Sequence, residues 1–180
     1  APVAEEHTSV ANHVVFNTSD VVDGATILVR DGNSAAVHAT LSTRALEPDT
    51  AYSVWWAVFN YPEHCAIPYD CKVSDLEVFG GDPAIEASVF WGGGFVSDAY
   101  GTTNASLRLS YGRTTRERFA GTADHGLDNF WGAEIHVVIR THGEIGMAGP
   151  VADQIGTASM ACPDAGCANV FASIHPAPEQ

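Results

Sequence analysis

Apolar and polar residues alternate with a period of two along most of this chain. ASLRLSY shows the pattern clearly, because Leu107 and Leu109 fall on one face while Ser106 and Arg108 fall on the other. A period of two is that of a half-buried β-strand. Further short runs, among them TILVR, AVHATL and NVFASIH, are separated by turn-forming residues. The pattern therefore predicts an all-β chain.

Two longer segments stand out within this pattern. YSVWWAVFN, at residues 52–60, is almost continuously apolar and predicts a central strand buried on both faces. AEIHVVIRTHGE, at residues 133–144, places Ile135, Val137 and Ile139 on one face and mostly polar side chains on the other. We predict a strand with a solvated polar face there. The best helical candidate is the segment CKVSDLEVFGGDP.

The spacing of these runs predicts about eight to ten short strands. We expect an antiparallel β-sandwich, jelly-roll-like, with at most one short helix; a closed barrel is the less favoured alternative. The chain has 180 residues, which is the size of one domain. The prediction is a flexible N-terminal arm at residues 1–9, a single domain at residues 10–175 and a tail at residues 176–180.

The charge balance narrows the possible partners. The chain has 22 acidic and 8 basic residues, a formal net charge of −14. Such a surface repels phosphate backbones and anionic lipids, which disfavours nucleic-acid binding. No apolar run is long enough to predict a membrane span. The opening APVAEEH is typical of a mature N-terminus left after signal-peptide removal, so we expect a secreted or cell-surface protein.

Four cysteines occur as two close pairs, Cys65 with Cys71 and Cys162 with Cys167. An even number of cysteines in a secreted chain predicts disulfides. We predict the two local pairings, because the intervening turns contain proline and glycine. A zinc site with four thiolates is the alternative, but both spacings fit it poorly.

Half of the basic residues are close together in the segment RLSYGRTTRER. A strand hairpin with a solvated basic face is the simpler interpretation. The alternative is a docking surface for an acidic partner or a second copy of this chain, because guanidinium groups pair well with carboxylates. Together with the N-terminal arm, this surface could support a homo-oligomer or filament. The arginines of this predicted patch are Arg108, Arg113, Arg116 and Arg118.

Histidines are the strongest metal-binding candidates. The chain has eight, and several fall on the polar sides of predicted strands. Imidazoles from neighbouring strands can bind zinc or copper, and the predicted ligands are His38, His136 and His175. His142 is six residues from His136, about 20 Å along a strand, so the two cannot bind the same ion in a straight strand.

Calcium and carbohydrate are two further candidate ligands. Carboxylate and amide oxygens in turns are suited to calcium, although such residues are also common in turns without an ion. Carbohydrate binding would need an exposed tryptophan, with Trp131 the best candidate because it lies in a predicted loop. The calcium candidates are Asp20, Asp23, Asp31, Asn33, Asp124 and Asp128, and the other tryptophans are Trp55, Trp56 and Trp91.

Three segments resemble a group of uncharacterised secreted bacterial proteins: YSVWWAVFNYPEHC, AEIHVVIRTHG and CANVFASIHPA. The segments THGEIGMAGPV and NVFASIH also resemble the CHRD domain, an extracellular β-domain, over the last third of the chain. The usual His-x-His pair of that domain is missing, since His136 and His142 are six residues apart. The resemblance implies an extracellular β-fold and assigns no site residue.

No catalytic residue is assigned, because the chain lacks the nucleophile-elbow, P-loop and H-E-x-x-H motifs. The first hypothesis is a secreted, disulfide-stabilised, non-enzymatic protein that binds a ligand or assembles into a matrix or filament. The second is a secreted metalloprotein or metalloenzyme with a histidine-based zinc or copper site. The third is a carbohydrate-binding module.

Overall fold

Eight antiparallel strands form one continuous sheet in the computed structural model, which describes residues 5–119 and 121–178. The all-β antiparallel prediction is confirmed, with one short α-helix. The sheet order is β5-β4-β7-β8-β1-β2-β3-β6. The elements are β1 (Glu6–Val15), β2 (Val21–Asp31), β3 (Ala36–Thr43), β4 (Thr50–Phe59), β5 (Ala87–Val96), β6 (Thr103–Ser110), β7 (Glu134–Glu144), α1 (Val151–Gly156) and β8 (Ala168–His175).

The sheet curls until its two edge strands, β5 and β6, lie against each other. Gly93 of β5 packs directly against Leu107 of β6, in a space where a larger residue would clash. Arg116 donates one hydrogen bond to Gly92 O in β5 and another to Arg108 O in β6. The layers of the expected sandwich are therefore opposite walls of one nearly closed, barrel-like sheet.

The interior of this sheet holds the main hydrophobic core. Alternate residues of β4 point inward, as its period of two requires, and they meet the inward residues of β3, β6 and β7. The buried residues of these strands are Val37, Ala39, Leu41, Tyr52, Val54, Trp56, Val58, Leu107, Leu109, Ile135, Val137 and Ile139.

The strand β4 is buried on both faces, as predicted from its continuous apolar run. The prediction of a solvated face for β7 is wrong, because Glu134, His136 and His142 are all buried. The reason is tertiary: the segments between β4 and β5 and between β7 and β8 pass over the outer faces of β4 and β7.

Two local predictions differ from the structure. The segment CKVSDLEVFGGDP forms two 3-10 turns, at Val73–Asp75 and Glu77–Phe79, and the α-helix lies instead at Val151–Gly156. Residues 6–9, assigned to the flexible arm, belong to β1 and pair with residues 28–31 of β2. Glu5, just before β1, accepts a hydrogen bond from the backbone N–H of Gly32, and residues 1–4 lie outside the described residues.

The disulfides join the predicted local pairs, Cys65 with Cys71 and Cys162 with Cys167. Cys65 and Cys71 are buried residues of the segment that covers β4, whereas Cys162 and Cys167 are half-buried. Across residues 5–119 and 121–178, no helix has the length and apolar character needed to span a membrane.

Candidate functional site

An apolar pocket lies on the outer face of β4 and β7, beneath the segments that cover it. The floor is the pairs Ala57–His136 and Trp55–Val138 of the two neighbouring strands. The cavity volume is about 300 Å³. We call this cavity the outer pocket, and its lining residues are Phe16, Asn17, Trp55, Ala57, Phe59, Val73, Leu76, Phe79, Val89, Phe119, His136, Val138 and Asn169.

The outer pocket separates two small hydrophobic clusters. On one side, Ala57 and Phe59 pack against the disulfide Cys65–Cys71 and Leu76. On the other side, Trp55 and Val138 pack against Ala158 and Ala172, with Phe119 at their edge. The lining residue Phe79 is 58% exposed, so the pocket opens to solvent on its side. Apolar walls with a mouth are the usual construction of a small-molecule site.

Three polar side chains, Asn17, His136 and Asn169, interrupt these apolar walls, and His136 is paired with Glu134, which does not itself line the pocket. The Nε2 of His136 lies 2.6 Å from Glu134 Oε1, which also accepts a hydrogen bond of 3.0 Å from the backbone N–H of Cys71. Because a carboxylate oxygen accepts, His136 Nε2 carries the proton in this bond. Within the described part of the chain, Nδ1 of His136 has no hydrogen-bond partner, and Glu134 Oε2 is buried without one.

The pair gives the pocket a specific chemistry. In the neutral form of the ring, the proton on Nε2 leaves Nδ1 as a hydrogen-bond acceptor. The Glu134 carboxylate holds this tautomer, and the disulfide Cys65–Cys71 anchors the Cys71 backbone N–H that donates to the carboxylate. The outer pocket can therefore enclose an apolar body and accept one hydrogen bond from it.

A second arrangement lies further along β7, at His142. Its Nε2 lies 2.8 Å from Ser53 Oγ, which also accepts a hydrogen bond from the indole N–H of Trp55. Its Nδ1 lies 3.2 Å from Met160 O, and a carbonyl only accepts, so Nδ1 is the protonated nitrogen. Burial is the main cause that lowers the pKa of His142.

The disulfide Cys162–Cys167 lies directly beside this imidazole. Cys167 Sγ is 3.2 Å from His142 Nδ1. The ring nitrogen and the two sulfur atoms all lie within 4.8 Å of one another. Among the described residues, this is the one group of at least three histidine, cysteine, aspartate or glutamate side chains with metal-ligand spacing.

The histidines predicted as metal ligands lie on different parts of the molecule. His38 points outward from β3 near Ser34, His136 borders the outer pocket, and His175 points into the barrel-like sheet. His175 Nδ1 lies 2.9 Å from Ser9 Oγ, and burial lowers the pKa of His175 to about 4. The structure does not assemble the predicted site because the three side chains neither share a face nor gather around one point.

The four predicted docking arginines are also divided by the fold. Arg116 bridges the edge strands, and Arg118 donates to Thr122 O. Arg108 is exposed and donates to Ser110 Oγ, and Arg113 is exposed. Arg108, Arg113 and Arg118 therefore remain the exposed members of the predicted patch, whereas Arg116 is half-buried.

The structure adds little support for the predicted carbohydrate and calcium sites. Trp55 and Trp56 are buried, while Trp91 and Trp131 are half-buried. The aspartates proposed for calcium do not form a three-ligand group within the described residues. Sequence reasoning missed the outer pocket, since the segments that form its walls are far apart along the chain. The one signal was the position of Glu134 and His136 on the same side of β7.

Comparison with known proteins found no matching family model, no matching curated protein and no matching solved structure.

Proposed function

We propose that this protein is a non-enzymatic binding protein that holds a small apolar ligand in the outer pocket. The observation that carries the proposal is a mostly apolar cavity of about 300 Å³ whose wall includes His136, the hydrogen-bond partner of the buried Glu134. This volume is at the lower end of the range for small-ligand pockets.

The chemistry of the walls selects the ligand class. Four phenylalanines and one tryptophan supply flat surfaces that suit an aromatic or alicyclic body. His136 Nδ1 accepts a hydrogen bond, and the buried Glu134 carboxylate favours a donor over an anion at that position. We therefore expect a neutral, ring-containing ligand with one hydroxyl or N–H group. The aromatic lining residues are Phe16, Phe59, Phe79, Phe119 and Trp55.

The proposed setting is extracellular. Two disulfides, an acidic composition and the resemblance to secreted β-domains support it. Assembly through an N-terminal arm has less support, because residues 6–9 are already paired with β2. A binding pocket needs no second copy of the chain, so ligand binding is the simpler proposal.

Fluorescence titration with N-phenyl-1-naphthylamine tests this proposal. The probe is neutral and aromatic, carries one N–H group and becomes fluorescent in apolar surroundings. We expect saturable binding at one site per chain. Ala57→Phe places a ring in the pocket and should weaken binding by at least about tenfold, the effect of about 1.4 kcal/mol.

The matched control is Ala99→Phe, which makes the same substitution in the exposed turn between β5 and β6. It should bind the probe like the original chain. In a second arm, His136→Leu should weaken binding by about fivefold through loss of one hydrogen bond. No saturable binding, or equal binding by the Ala57→Phe and Ala99→Phe proteins, would contradict the proposed function.

A further inference from the structure

We propose that reduction of the disulfide Cys162–Cys167 converts its surroundings into a zinc-type metal site with His142 as the third ligand. This site is separate from the outer pocket and does not depend on the function proposed for that pocket. The juxtaposition that carries the inference is one imidazole nitrogen and two sulfurs within 4.8 Å of one another.

The donor set suits a soft or borderline divalent ion. Two thiolates and one imidazole are ligands that zinc takes in tetrahedral sites, with the fourth position left for solvent. Cys162 and Cys167 enclose four residues, the upper limit of the usual spacing of paired zinc-binding cysteines. His142 is a buried residue of the central strand β7, so its ring is held in place.

The neighbours of His142 match the needs of a ligating histidine. When Nδ1 binds a metal, the ring proton moves to Nε2, and Ser53 Oγ lies 2.8 Å away to accept it. The Trp55 indole donates to the same oxygen and fixes the serine in place. Such a partner beyond the ligand orients the ring toward the ion.

The sulfur atoms are placed for reduction. Both cysteines of this pair are half-buried, whereas Cys65 and Cys71 are 4% and 0% exposed. A thiol reductant supplies two electrons and two protons: the sulfur–sulfur bond breaks, two cysteine thiols form, and the reductant becomes a disulfide. Binding of the divalent ion then displaces both thiol protons to solvent.

Cobalt(II), a spectroscopic substitute for zinc, provides the test. The full chain is first reduced with a phosphine, and cobalt is then titrated in. In the reduction, the phosphine takes its oxygen atom from water and becomes the phosphine oxide, while the disulfide becomes two thiols. We expect one ion per chain and the visible absorption of tetrahedral cobalt bound to thiolates. The oxidised chain should show no such absorption.

Variants assign the absorption to this site. The double variant Cys162→Ser, Cys167→Ser should abolish the thiolate–cobalt absorption. With His142→Gln, the absorption should no longer saturate as cobalt is added. The matched control, Cys65→Ser with Cys71→Ser, removes the other pair and should keep it. Ser53→Ala should weaken cobalt binding by about tenfold, the usual effect of removing the partner of a ligating histidine.

Two results of the cobalt titration would overturn the proposal. One is a reduced chain that gives no thiolate–cobalt absorption, whether cobalt is added during or after reduction. The other is absorption that persists in the Cys162→Ser, Cys167→Ser protein. Alkylation of the free thiols after mild reduction, followed by peptide mapping, provides a readout independent of folding. Labelling of Cys65 and Cys71 ahead of Cys162 and Cys167 would equally contradict the proposal.

Discussion

Arg30 shows how much polar chemistry lies inside the barrel-like sheet. Its guanidinium is completely buried and donates hydrogen bonds of 2.7 Å to Phe130 O and Ala133 O. Burial lowers the pKa of Arg30 to about 10. The side chain therefore ties β2 to the segment before β7, at the cost of desolvating a charge.

Two histidines share this interior with Arg30. His13 Nε2 lies 2.9 Å from Thr26 Oγ1, and His175 Nδ1 bonds Ser9. Desolvation is the main cause that lowers the pKa of both His13 and His175 to about 4, and the charge of Arg30 adds to the effect on His175. Both imidazoles are therefore neutral in the folded protein at neutral pH.

These two residues predict a loss of stability in mild acid. Between pH 6.5, the usual histidine pKa, and pH 4, the unfolded chain binds more protons than the folded chain, so stability falls as pH falls. We expect about 2 kcal/mol per histidine to be lost by pH 5. Urea unfolding at pH 7.5, 6.5, 5.5 and 5 measures this loss.

His13→Gln provides the control for that measurement, because it removes one titrating group and should reduce the loss at pH 5 by about 2 kcal/mol; the lowered pKa of His142 acts in the same direction and is retained. Asp31 and Asp98 have lowered pKa values, and their contribution is lost only as pH falls below about 4. The window from pH 6.5 to 5 therefore isolates the histidines. A free energy of unfolding that stays constant across this window would contradict the prediction.

At the scale of elements, close backbone contacts hold the covering segments on the sheet. Trp91 of β5 donates its indole N–H to Ile155 O in α1. Gly94 of the same strand lies under α1, where a Cβ atom would be only 2.1 Å from Ile155 O. The glycine run of β5 is therefore needed for packing, since any side chain at Gly94 would push the helix away.

A pair of glycine substitutions tests this contact. Gly94→Ala should lower the free energy of unfolding by about 1–3 kcal/mol, because α1 must shift to admit the methyl group. Gly156→Ala, at the end of α1, meets open space and should leave stability unchanged or raise it by up to about 1 kcal/mol. Thermal and urea unfolding of the two proteins measure the difference. Equal stabilities would show that α1 does not rest on Gly94.

At the scale of the whole molecule, closure of the sheet depends on how β5 meets β6. Two exposed sheet edges would invite pairing with other chains. Here the two edges face each other, and the Arg116 guanidinium joins a carbonyl on each. The half-buried Arg116 side chain links β5 and β6 in place of a regular ladder of backbone hydrogen bonds. Arg116 thus has a structural role within the basic segment that the sequence suggested as a docking surface.

Arg116→Ala should therefore loosen the contact between β5 and β6. We expect a loss of about 1 kcal/mol in stability, from two carbonyl hydrogen bonds at a partly exposed position, and faster amide hydrogen exchange in β5 and β6. Arg113→Ala is the matched control, because this exposed arginine lies in the same segment and should change neither quantity. Faster exchange in both proteins, or in neither, would contradict the role given to Arg116.

The sequence by itself determined the features that depend on neighbouring residues. Alternation along β3 and β6, the continuous apolar run of β4 and the pairing of Cys65 with Cys71 all arise from local spacing, and the structure confirms them. Steric rules and side-chain periodicity act over a few residues, which makes such features readable without a tertiary structure.

Only the tertiary structure decided what lies on the outer face of β7. Glu134 meets the Cys71 amide across 63 positions of the chain, and His142 meets Cys167 across 25. Both contacts form because the segments between β4 and β5 and between β7 and β8 fold over the sheet, and no periodicity along the chain predicts where those segments pack. The same covering turned a polar face that looked solvated into the wall of a pocket. Burial, and with it the chemistry of His136 and His142, is a property of the whole fold.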